Sequence, residues 1–161
     1  MSAFKEIYEQ YGKPVYRFFL ALTRDEGMAE ELLQETFYQA FLHIEQFEGR
    51  SSLYTWLCQI GKNAWLKECK REKWFAKDSL EDMELSDRKP PPDIQIIQKD
   101  EYRRVRHAIL KLEEPYKNVF ILHAYAGVKL KEIAVSYGKS ESWARVTYYR
   151  ARQQIIQEVS E

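Results

Sequence analysis

The last helical stretch of the sequence groups side chains that can hydrogen-bond to the edges of DNA bases. At about 100° per residue, its apolar residues fall within about 60° of one another on one side of a helix. Arginine can donate two hydrogen bonds to guanine, and an apolar side chain can touch the methyl group of thymine. A short helix with one packed face and one polar face therefore suits the major groove of DNA. The apolar side holds Ala144, Tyr148, Ala151 and Ile155, and the opposite side holds Ser142, Arg145, Val146, Tyr149 and Gln153, flanked by Arg150 and Arg152.

A shorter helix precedes this one, with a glycine between them. Its apolar residues recur at i, i+3, i+4 and i+7, which is one face of a two-turn helix. Gly138 can adopt the positive φ of a sharp turn, and Ser140 can cap the helix that follows. The pattern predicts a helix-turn-helix, although by itself it also fits a helical hairpin whose charged face only meets water. The apolar residues of the first helix are Leu130, Ile133, Ala134 and Tyr137.

A second group of side chains compatible with nucleic acid lies in the first half of the chain. Lysines contact phosphates, whereas asparagine and aromatic rings can engage bases that have left the stack. A short loop from Phe47 to Ser52, with a glycine at position 49, comes just before this helix. The composition equally fits an ordinary solvated helix end. The lysines are Lys62, Lys70, Lys73 and Lys77, within about 80° of one another, and Asn63 and Trp74 border them.

Three helical stretches must position that group. The first runs from Phe4 to Leu22, and we expect an interruption at residues 12–14, Gly-Lys-Pro. The second has Asp25 as a plausible N-cap, followed by acids that suit the positive end of the helix dipole. The third begins after Ser52. The second helix is expected to bury Met28, Ala29, Leu32, Leu33, Phe37, Ala40, Phe41, Ile44 and Phe47, and the third Leu53, Trp56, Leu57, Ile60 and Ala64.

A proline-containing segment divides the chain. Residues 78–98 include three consecutive prolines at 90–92 and an acidic run, which favour a stiff, extended linker. After it we expect a helix from Ile96 to Leu112 and another that ends near Ala126, with Gly127 as its C-cap. No period-two run of β-branched residues is present in the sequence. We predict an all-α fold with an N-terminal helical bundle (1–77), a linker (78–98) and a C-terminal four-helix domain (99–161) containing the helix-turn-helix.

The charges of the chain are arranged in blocks of alternating sign. The 161 residues carry a formal net charge of zero, with 25 basic and 25 acidic side chains. Residues 24–48 hold seven acids and one arginine, whereas residues 62–77 hold six basic side chains and two acidic ones. Such blocks fit a protein that meets both DNA and a basic protein surface, and they also fit a set of solvated helix faces.

Several classes of function lack their signatures in this sequence. Cys58 and Cys69 are eleven residues apart in one predicted helix, too far for a disulfide bond, and no metal-ligand spacing is present. No apolar run approaches the roughly 20 residues of a membrane span, and the N-terminus does not resemble a signal peptide. We therefore expect a cytoplasmic protein. No nucleotide-binding loop, hydrolase elbow or zinc-protease motif is found, so we predict neither an enzyme nor a cofactor.

Taken in order, these segments resemble the extracytoplasmic-function sigma factors, a group of bacterial RNA polymerase subunits in the sigma-70 family. The resemblance covers about residues 4–77 and 100–157 and rests on motifs that follow one another in the family's order. Residues 28–37 look like its second conserved region, 47–51 and 55–63 like its segment for melting and reading the −10 element, and 132–138 and 149–152 like its fourth region; Leu112 to Pro115 stands where the family usually has Leu-Pro.

The resemblance implies roles for particular residues. The acidic helix would dock on the clamp helices of the polymerase's largest subunit, and core polymerase would supply the chemistry and its metal ions. An anti-sigma factor would be a further partner, covering these faces until a signal arrives. The implied polymerase-binding residues are Glu31, Gln34, Glu35 and Phe37; those for −10 DNA are Phe47, Arg50, Ser51, Trp56, Lys62 and Asn63; those for −35 DNA are Ser142, Arg145, Val146, Tyr149 and Arg150.

The sequence departs from the family at a few positions. Lys139 occupies a turn position that is usually Ile or Val, and Val146 replaces a residue that is commonly polar, so the bases read at −35 are open. Gly61 stands where alanine is common, which weakens that helix slightly. The alternative hypothesis is a stand-alone helix-turn-helix regulator that binds an operator as a dimer, but a dimerisation helix is not evident and the −10-like segment would have no role.

Overall fold

The part of the chain that the structure describes is helical. A computed structural model describes the backbone of residues 2–78 and 92–161 and the side chains of residues 3–72 and 101–161. Within these ranges there are seven α-helices and one 3₁₀ turn, and the all-α prediction is confirmed. The helices are α1 (Ser2–Thr23), α2 (Glu26–His43), α3 (Leu53–Asp78), α4 (Pro92–Lys111), α5 (Tyr116–Ala124), α6 (Leu130–Tyr137) and α7 (Glu141–Ser160), with the 3₁₀ turn at Ile44–Gln46.

Helices α1, α2 and α3 pack on one another and form the N-terminal bundle. Asp25 caps α2 as predicted, because its carboxylate accepts a hydrogen bond of 3.0 Å from the Met28 backbone N–H. A cap of this kind is worth about 1 kcal/mol. The bundle buries Val15, Phe18, Phe19 and Leu22 of α1; Ala29, Leu32, Leu33, Phe37 and Ala40 of α2; and Leu57, Cys58, Trp65 and Cys69 of α3.

The expected interruption of the first helix is wrong, since α1 is continuous and contains Pro14. A proline inside a helix costs about 3 kcal/mol. Burying a single large apolar side chain contributes about 1.5–3 kcal/mol, and Phe18, Phe19 and Leu22 all lie beyond Pro14 with 2% exposure or less. Packing of this end of α1 therefore outweighs the local cost of the proline.

Two expectations about buried faces also need correction. Phe41 keeps 59% of its surface exposed, whereas Ala40 beside it is fully buried, so the apolar stripe of α2 is narrower than its composition suggests. On α3, Trp56, Ile60 and Ala64 are only partly buried against the core. The buried face of α3 carries Leu57, Cys58, Trp65 and Cys69, so Leu57 is the one residue of the predicted stripe that is fully buried.

The C-terminal helices α4 to α7 form a second packed group, in which α7 contacts each of the other three. Helix α5 ends at Ala124, two residues earlier than expected, and Gly127 follows with a φ of 74°. Helix α4 already begins at Pro92, inside the range assigned to the linker. The aromatic side chain of Tyr148 stacks on Phe120, with ring centroids 5.5 Å apart, and ties α7 to α5.

Candidate nucleic-acid interface

The turn between α6 and α7 has the geometry predicted for a helix-turn-helix. Gly138 adopts the left-handed conformation, with φ 66° and ψ 33°. The next residue, Lys139, donates its backbone N–H to the Ala134 carbonyl at 2.9 Å. Ser140 then caps α7, because its hydroxyl accepts a hydrogen bond of 3.1 Å from the Trp143 N–H. The sequence therefore located both the turn and the start of the second helix correctly.

Helix α7 presents its predicted DNA-reading residues to solvent. Its buried side consists of Ala144, Thr147, Ala151 and Ile155, and Tyr148 is half-buried. Tyr149 keeps 60% of its surface exposed and Val146 keeps 48%, so both side chains are accessible to a partner. The exposed side contains Ser142, Arg145, Val146, Tyr149 and Arg150.

Arg145 forms an ion pair one turn along its own helix. Its guanidinium lies 3.4 Å from the Glu141 carboxylate, and about half of each side chain is exposed. Exposed pairs of this kind contribute about 0–1 kcal/mol. The pair therefore holds the guanidinium on the exposed face. Because it is weak, Arg145 can leave Glu141 and bind a DNA base at little cost in free energy.

A buried polar contact beneath the helix-turn-helix was not anticipated from the sequence. The Asn118 amide donates a hydrogen bond of 2.9 Å to the Tyr137 hydroxyl, and the Asn118 backbone N–H donates one of 3.0 Å to Glu114. The ring of Tyr137 packs against Trp143 at the start of α7, with centroids 5.1 Å apart. Asn118 thereby links α5 to the turn and to the first residues of α7. Its signal in the sequence is only a polar residue that directly precedes the apolar run from Val119 to Leu122.

The loop before α3 and the first turns of that helix bring several −10 candidates together. Phe47 packs against Trp56, with ring centroids 5.2 Å apart. Arg50 is exposed and lies 3.3 Å from Glu48. Ser52 caps α3, since its hydroxyl accepts a hydrogen bond of 3.2 Å from the Thr55 N–H. The structure therefore clusters Phe47, Arg50, Ser51 and Trp56 around the N-terminus of α3.

Lys62 and Asn63 are neighbours in sequence but differ in exposure. Asn63 is exposed, whereas Lys62 keeps only 7% of its surface accessible. Burial lowers the pKa of the Lys62 ammonium, an effect that Glu114 opposes and Lys117 reinforces. In this arrangement Asn63 is open to a partner and Lys62 is covered. Lys70 is exposed, while Lys73, Trp74 and Lys77 of the predicted stripe lie outside the described side chains.

The predicted polymerase-binding face of α2 is exposed except for one residue. Phe37 keeps only 4% of its surface accessible, and it packs edge-on against Phe4 and Tyr8. We therefore correct its role from contact residue to support. Tyr38 and Leu42 are more than half exposed, and the helical repeat places them on the same side of α2 as the acids. The exposed strip, called the α2 strip below, consists of Glu31, Gln34, Glu35, Tyr38 and Leu42.

A groove between α2 and α3 connects this strip with the −10 candidates. Glu31 and Glu35 line one wall, and Asn63 lines the other together with Lys67 and Arg71. Two acids of α2 thus face two basic side chains of α3, of which Arg71 is paired with Glu68 on its own helix at 3.0 Å. Polymerase-binding and base-contacting candidates thus share one groove although they are about thirty residues apart in the chain, which no pattern in the sequence indicates.

The two cysteines are buried and free. Burial raises the pKa of each thiol to about 12. Such thiols are inert at neutral pH, which fits the structural role expected for them. Among the residues that the structure describes there is no group of His, Cys, Asp and Glu that could hold a metal ion. The described helices include none that is both long and apolar enough to cross a bilayer.

An all-α protein with a solvent-facing helix-turn-helix and a second cluster of basic and aromatic residues belongs among the DNA-binding proteins. Comparison with known proteins narrows the class. Residues 7–75 match the family model for sigma-70 region 2, and residues 102–155 match that for sigma-70 region 4. The two matches lie in the order that the sequence motifs suggested.

Similar proteins with known roles fall in the same family. The chain is 30% identical to the ECF RNA polymerase sigma factor SigM of Bacillus subtilis strain 168 over 93% of this chain and 91% of that protein. It is 26% identical to SigX of the same strain over 92% of this chain and 79% of SigX. The chain belongs to the extracytoplasmic-function sigma factors of the sigma-70 family, and it is a promoter-recognition subunit of RNA polymerase. The alternative of a stand-alone regulator is therefore set aside.

Solved structures show the same fold. One is the sigma factor RpoE of Bartonella quintana in complex with the anti-sigma factor NepR, with a TM-score of 0.58 and 19% identity, covering 99% of this chain and 98% of that one. Another is CnrH in complex with the cytosolic domain of CnrY, with a TM-score of 0.57 and 19% identity, covering 99% of this chain and 88% of CnrH. The all-α architecture is thus shared across large differences in sequence.

Proposed function

We propose that residues 1–77 form the domain that binds core polymerase and the −10 element, and that residues 99–161 form the domain that binds the −35 element. The ranges matched to region 2 and region 4 support this division. In this scheme the chain does no chemistry of its own. It contributes binding energy, while core polymerase contributes the active site.

The −35 element is read by α7. Arg145 and Arg150 are exposed and can reach guanine edges, and Val146 and Tyr149 can contact a thymine methyl group. Ser142 lies in the first turn, where the backbone amides at a helix N-terminus also attract a phosphate. The observation that carries the proposal is that all five of these side chains are exposed on one helix whose other side is buried in the domain core.

The −10 element is captured as a single strand by the cluster at the start of α3. Asn63 can hydrogen-bond to an unstacked base, and the Phe47–Trp56 pair offers an aromatic surface for stacking. Arg50 and Ser51 lie beside the N-terminus of α3 and contact the sugar-phosphate backbone, whereas Lys62, which the sequence had assigned to the same role, is buried and is not available for it in this arrangement. Binding the separated strand more tightly than the duplex stabilises the melted promoter.

Core polymerase binds the α2 strip through its clamp helices. Acidic side chains and an exposed aromatic ring on one face suit a basic partner surface with an apolar centre. Tyr38 supplies the aromatic contact that the sequence had assigned to Phe37. An anti-sigma factor is a second protein partner, since both solved relatives were captured with one. We also propose that the protein works in the cytoplasm, where polymerase and promoter DNA are found.

Run-off transcription tests this function directly. Purified chain and core polymerase are combined with a library of promoter fragments, with core polymerase alone as the control. The expected result is a set of transcripts that begin at fixed positions downstream of shared −35 and −10 elements. If the chain neither binds core polymerase nor changes where transcripts begin, the proposed function is refuted.

A further inference from the structure

Helix α5 supports α7 directly in the middle of α7. The ring of Tyr148 is stacked on Phe120 with the two ring planes only 10° apart. The His123 ring packs edge-to-face against the same tyrosine, with the centroids 4.7 Å apart, and its Nδ1 is hydrogen-bonded to the Val128 carbonyl at 2.8 Å. This aromatic contact holds the middle turns of α7 against the domain core.

The first turn of α7 is supported indirectly, by two contacts in series that start at Asn118. The Asn118 amide donates to the hydroxyl of Tyr137, the last residue of α6, at 2.9 Å. The Tyr137 ring in turn lies against Trp143, with the two ring planes 51° apart. Trp143 is the third residue of α7 and comes five residues before Tyr148, which is about 7.5 Å along the helix axis. Two supports at this separation fix both the position and the direction of the helix.

Burial makes the Asn118 contact hard to break. Asn118 keeps only 6% of its surface exposed, and the hydrogen bond from its backbone N–H to Glu114 fixes the residue at the start of α5. Among the residues that the structure describes, the side-chain oxygen of Asn118 has no hydrogen-bond partner. If the Tyr137 hydroxyl moved away, the buried amide would lose this bond, and an unpaired buried donor is costly. Tyr137 is therefore held in place, and its ring keeps Trp143 in place.

The proposed base-reading side chains lie directly beside the two supports. Ser142 and Arg145 are within two residues of Trp143, and Tyr149 follows Tyr148. Two residues correspond to about 200° around a helix, so Trp143 and Arg145 lie on nearly opposite sides of it. A shift of Trp143 in the core therefore moves the Arg145 guanidinium on the exposed side. Hydrogen bonds weaken steeply outside a narrow range of distances and angles, so a bidentate contact with guanine tolerates only small shifts.

We propose that Asn118 is a positioning residue for −35 recognition, which acts through Tyr137 and Trp143 to orient the first turn of α7 and thereby decides which base Arg145 can reach. The inference rests on the proposed function of α7. Asn118 is buried beneath the turn and acts without contacting DNA. Without its hydrogen bond the first turn of α7 is loosened, while the stacking of Tyr148 still holds the middle turns. Base preference should then fall at one end of the −35 element only.

Three variants remove the bond from one side or from both. Tyr137→Phe deletes only the hydroxyl group, and Asn118→Leu replaces the amide by an apolar group of similar size. The third variant combines the two substitutions. Ser136→Ala is the matched control, because it also deletes a hydroxyl that donates a hydrogen bond, of 2.7 Å to the Ile133 carbonyl, but this bond stays within α6.

Base preference is measured with the whole chain and core polymerase. Run-off transcription from a library with a randomised −35 element and a fixed −10 element gives the ratio of the best to the second-best base at each −35 position. Arg145→Ala and Arg150→Ala mark the positions read by the first and by the later turns of α7. We expect Tyr137→Phe and Asn118→Leu to lower the ratio up to about tenfold at the Arg145 position and to leave the Arg150 position unchanged. The double variant should lose no more than either single variant, and Ser136→Ala should behave like the wild type.

An equal loss at all −35 positions would overturn the inference, because a domain that is only destabilised would give this result. An unchanged ratio at the Arg145 position would overturn it as well. Circular dichroism reports whether each variant folds, and if Asn118→Leu does not, Tyr137→Phe decides the question because it removes a single oxygen atom.

The arginine variants separate this inference from the proposed function. If neither Arg145→Ala nor Arg150→Ala changes any −35 preference, the proposed role of α7 is refuted and the positioning role falls with it. If the arginine variants change the preference and the Asn118 and Tyr137 variants do not, only the positioning role is refuted.

Discussion

The ring of Phe19 lies directly against the backbone of Gly61, so that α1 and α3 approach each other without an intervening side chain. A methyl group on residue 61 would overlap this ring and would lie 3.1 Å from the Thr36 hydroxyl of α2. All three helices of the N-terminal bundle therefore meet at this glycine. From the sequence, Gly61 was only a slightly weaker helix former than alanine; in the fold it is a packing requirement.

Gly61→Ala is expected to destabilise the protein by about 1–3 kcal/mol, because overpacking outweighs the better helix propensity of alanine. Gly12→Ala is the matched control, since Gly12 also lies inside a helix but its added methyl would only contact Tyr8 at 3.8 Å. That variant should gain up to about 1 kcal/mol. Urea unfolding followed by circular dichroism measures both, and equal stabilisation by the two substitutions would contradict the packing role.

Phe37→Ala and Tyr38→Ala should separate stability from polymerase binding. Phe37 is buried, so its truncation is expected to cost about 3–5 kcal/mol of folding free energy. Tyr38 is 58% exposed, so its truncation should leave the unfolding midpoint nearly unchanged and weaken binding to core polymerase. Thermal melts and fluorescence titration with core polymerase measure the two effects. Full polymerase affinity in Tyr38→Ala would remove this residue from the α2 strip.

Arg145→Ala should weaken use of the promoter by about 1–3 kcal/mol if the guanidinium donates both hydrogen bonds to a guanine in the −35 element. The exposed Arg104 of α4 provides a control with the same change in charge. Run-off transcription on wild-type and −35-mutated promoters measures the effect. If Arg145→Ala and Arg104→Ala reduce transcription equally, the contribution is a general charge effect and not base recognition.

Asn63→Ala should impair promoter melting more than it impairs binding to −35 DNA. Asn63 is exposed on the wall of the α2–α3 groove, far along the chain from α7, so its loss leaves the reading helix intact. Permanganate footprinting reports unpaired thymines in the −10 region, and a gel-shift assay on −35 duplex reports binding by the C-terminal domain. Normal footprinting in the variant would exclude Asn63 from base capture.

Both thiols should react slowly with Ellman's reagent in the folded protein. Burial raises the pKa of Cys58 and of Cys69 from an ordinary value of 9.0 to about 12. The thiolate fraction at pH 8 is then about a thousandfold lower than for a free cysteine. Two equivalents of thiol should appear only after denaturation. Fast reaction of either cysteine in the native chain would contradict the burial of that thiol.

The same shifts predict the effect of alkaline pH on stability. Because the folded protein holds these protons more tightly, their contribution to stability is fully present below pH 9 and is lost as the pH rises from about 9 to about 12. The urea midpoint should therefore be flat with respect to these groups up to pH 9 and fall above it. A double Cys→Ser variant should lose this alkaline component.

Features set by local chemistry could be predicted from the sequence. Asp25, Gly138 and Ser140 have the conformations and hydrogen bonds that were expected of them, because caps and tight turns depend on residues within a few positions of each other. The exposed face of α7 was also predicted correctly, since the helical period separates its buried and exposed sides; that this face reads DNA stays a prediction.

Features that depend on distant parts of the chain could not be predicted. Lys62 was placed on a nucleic-acid face because its own helix is basic, and its burial arises from the segment around Glu114. Phe37 and Phe41 stand on neighbouring turns and both look apolar, yet only Phe37 is covered. The contact between Ser52 and Glu132 joins residues 80 positions apart. No pattern within one helix contains this information.

Helix α7 carries the proposed DNA-reading residues in its first turns and anchors the domain with its last ones. It extends without a break from Glu141 to Ser160, with Ile155 in the core and Glu158 held by Lys111 of α4 at 2.7 Å. Because α7 is one continuous helix, a tilt at its C-terminal end also moves its N-terminal turns. Repacking around Ile155 would thus shift Arg145 and Arg150 relative to the major groove of the DNA, and substitutions that never touch a base could change which promoters are chosen.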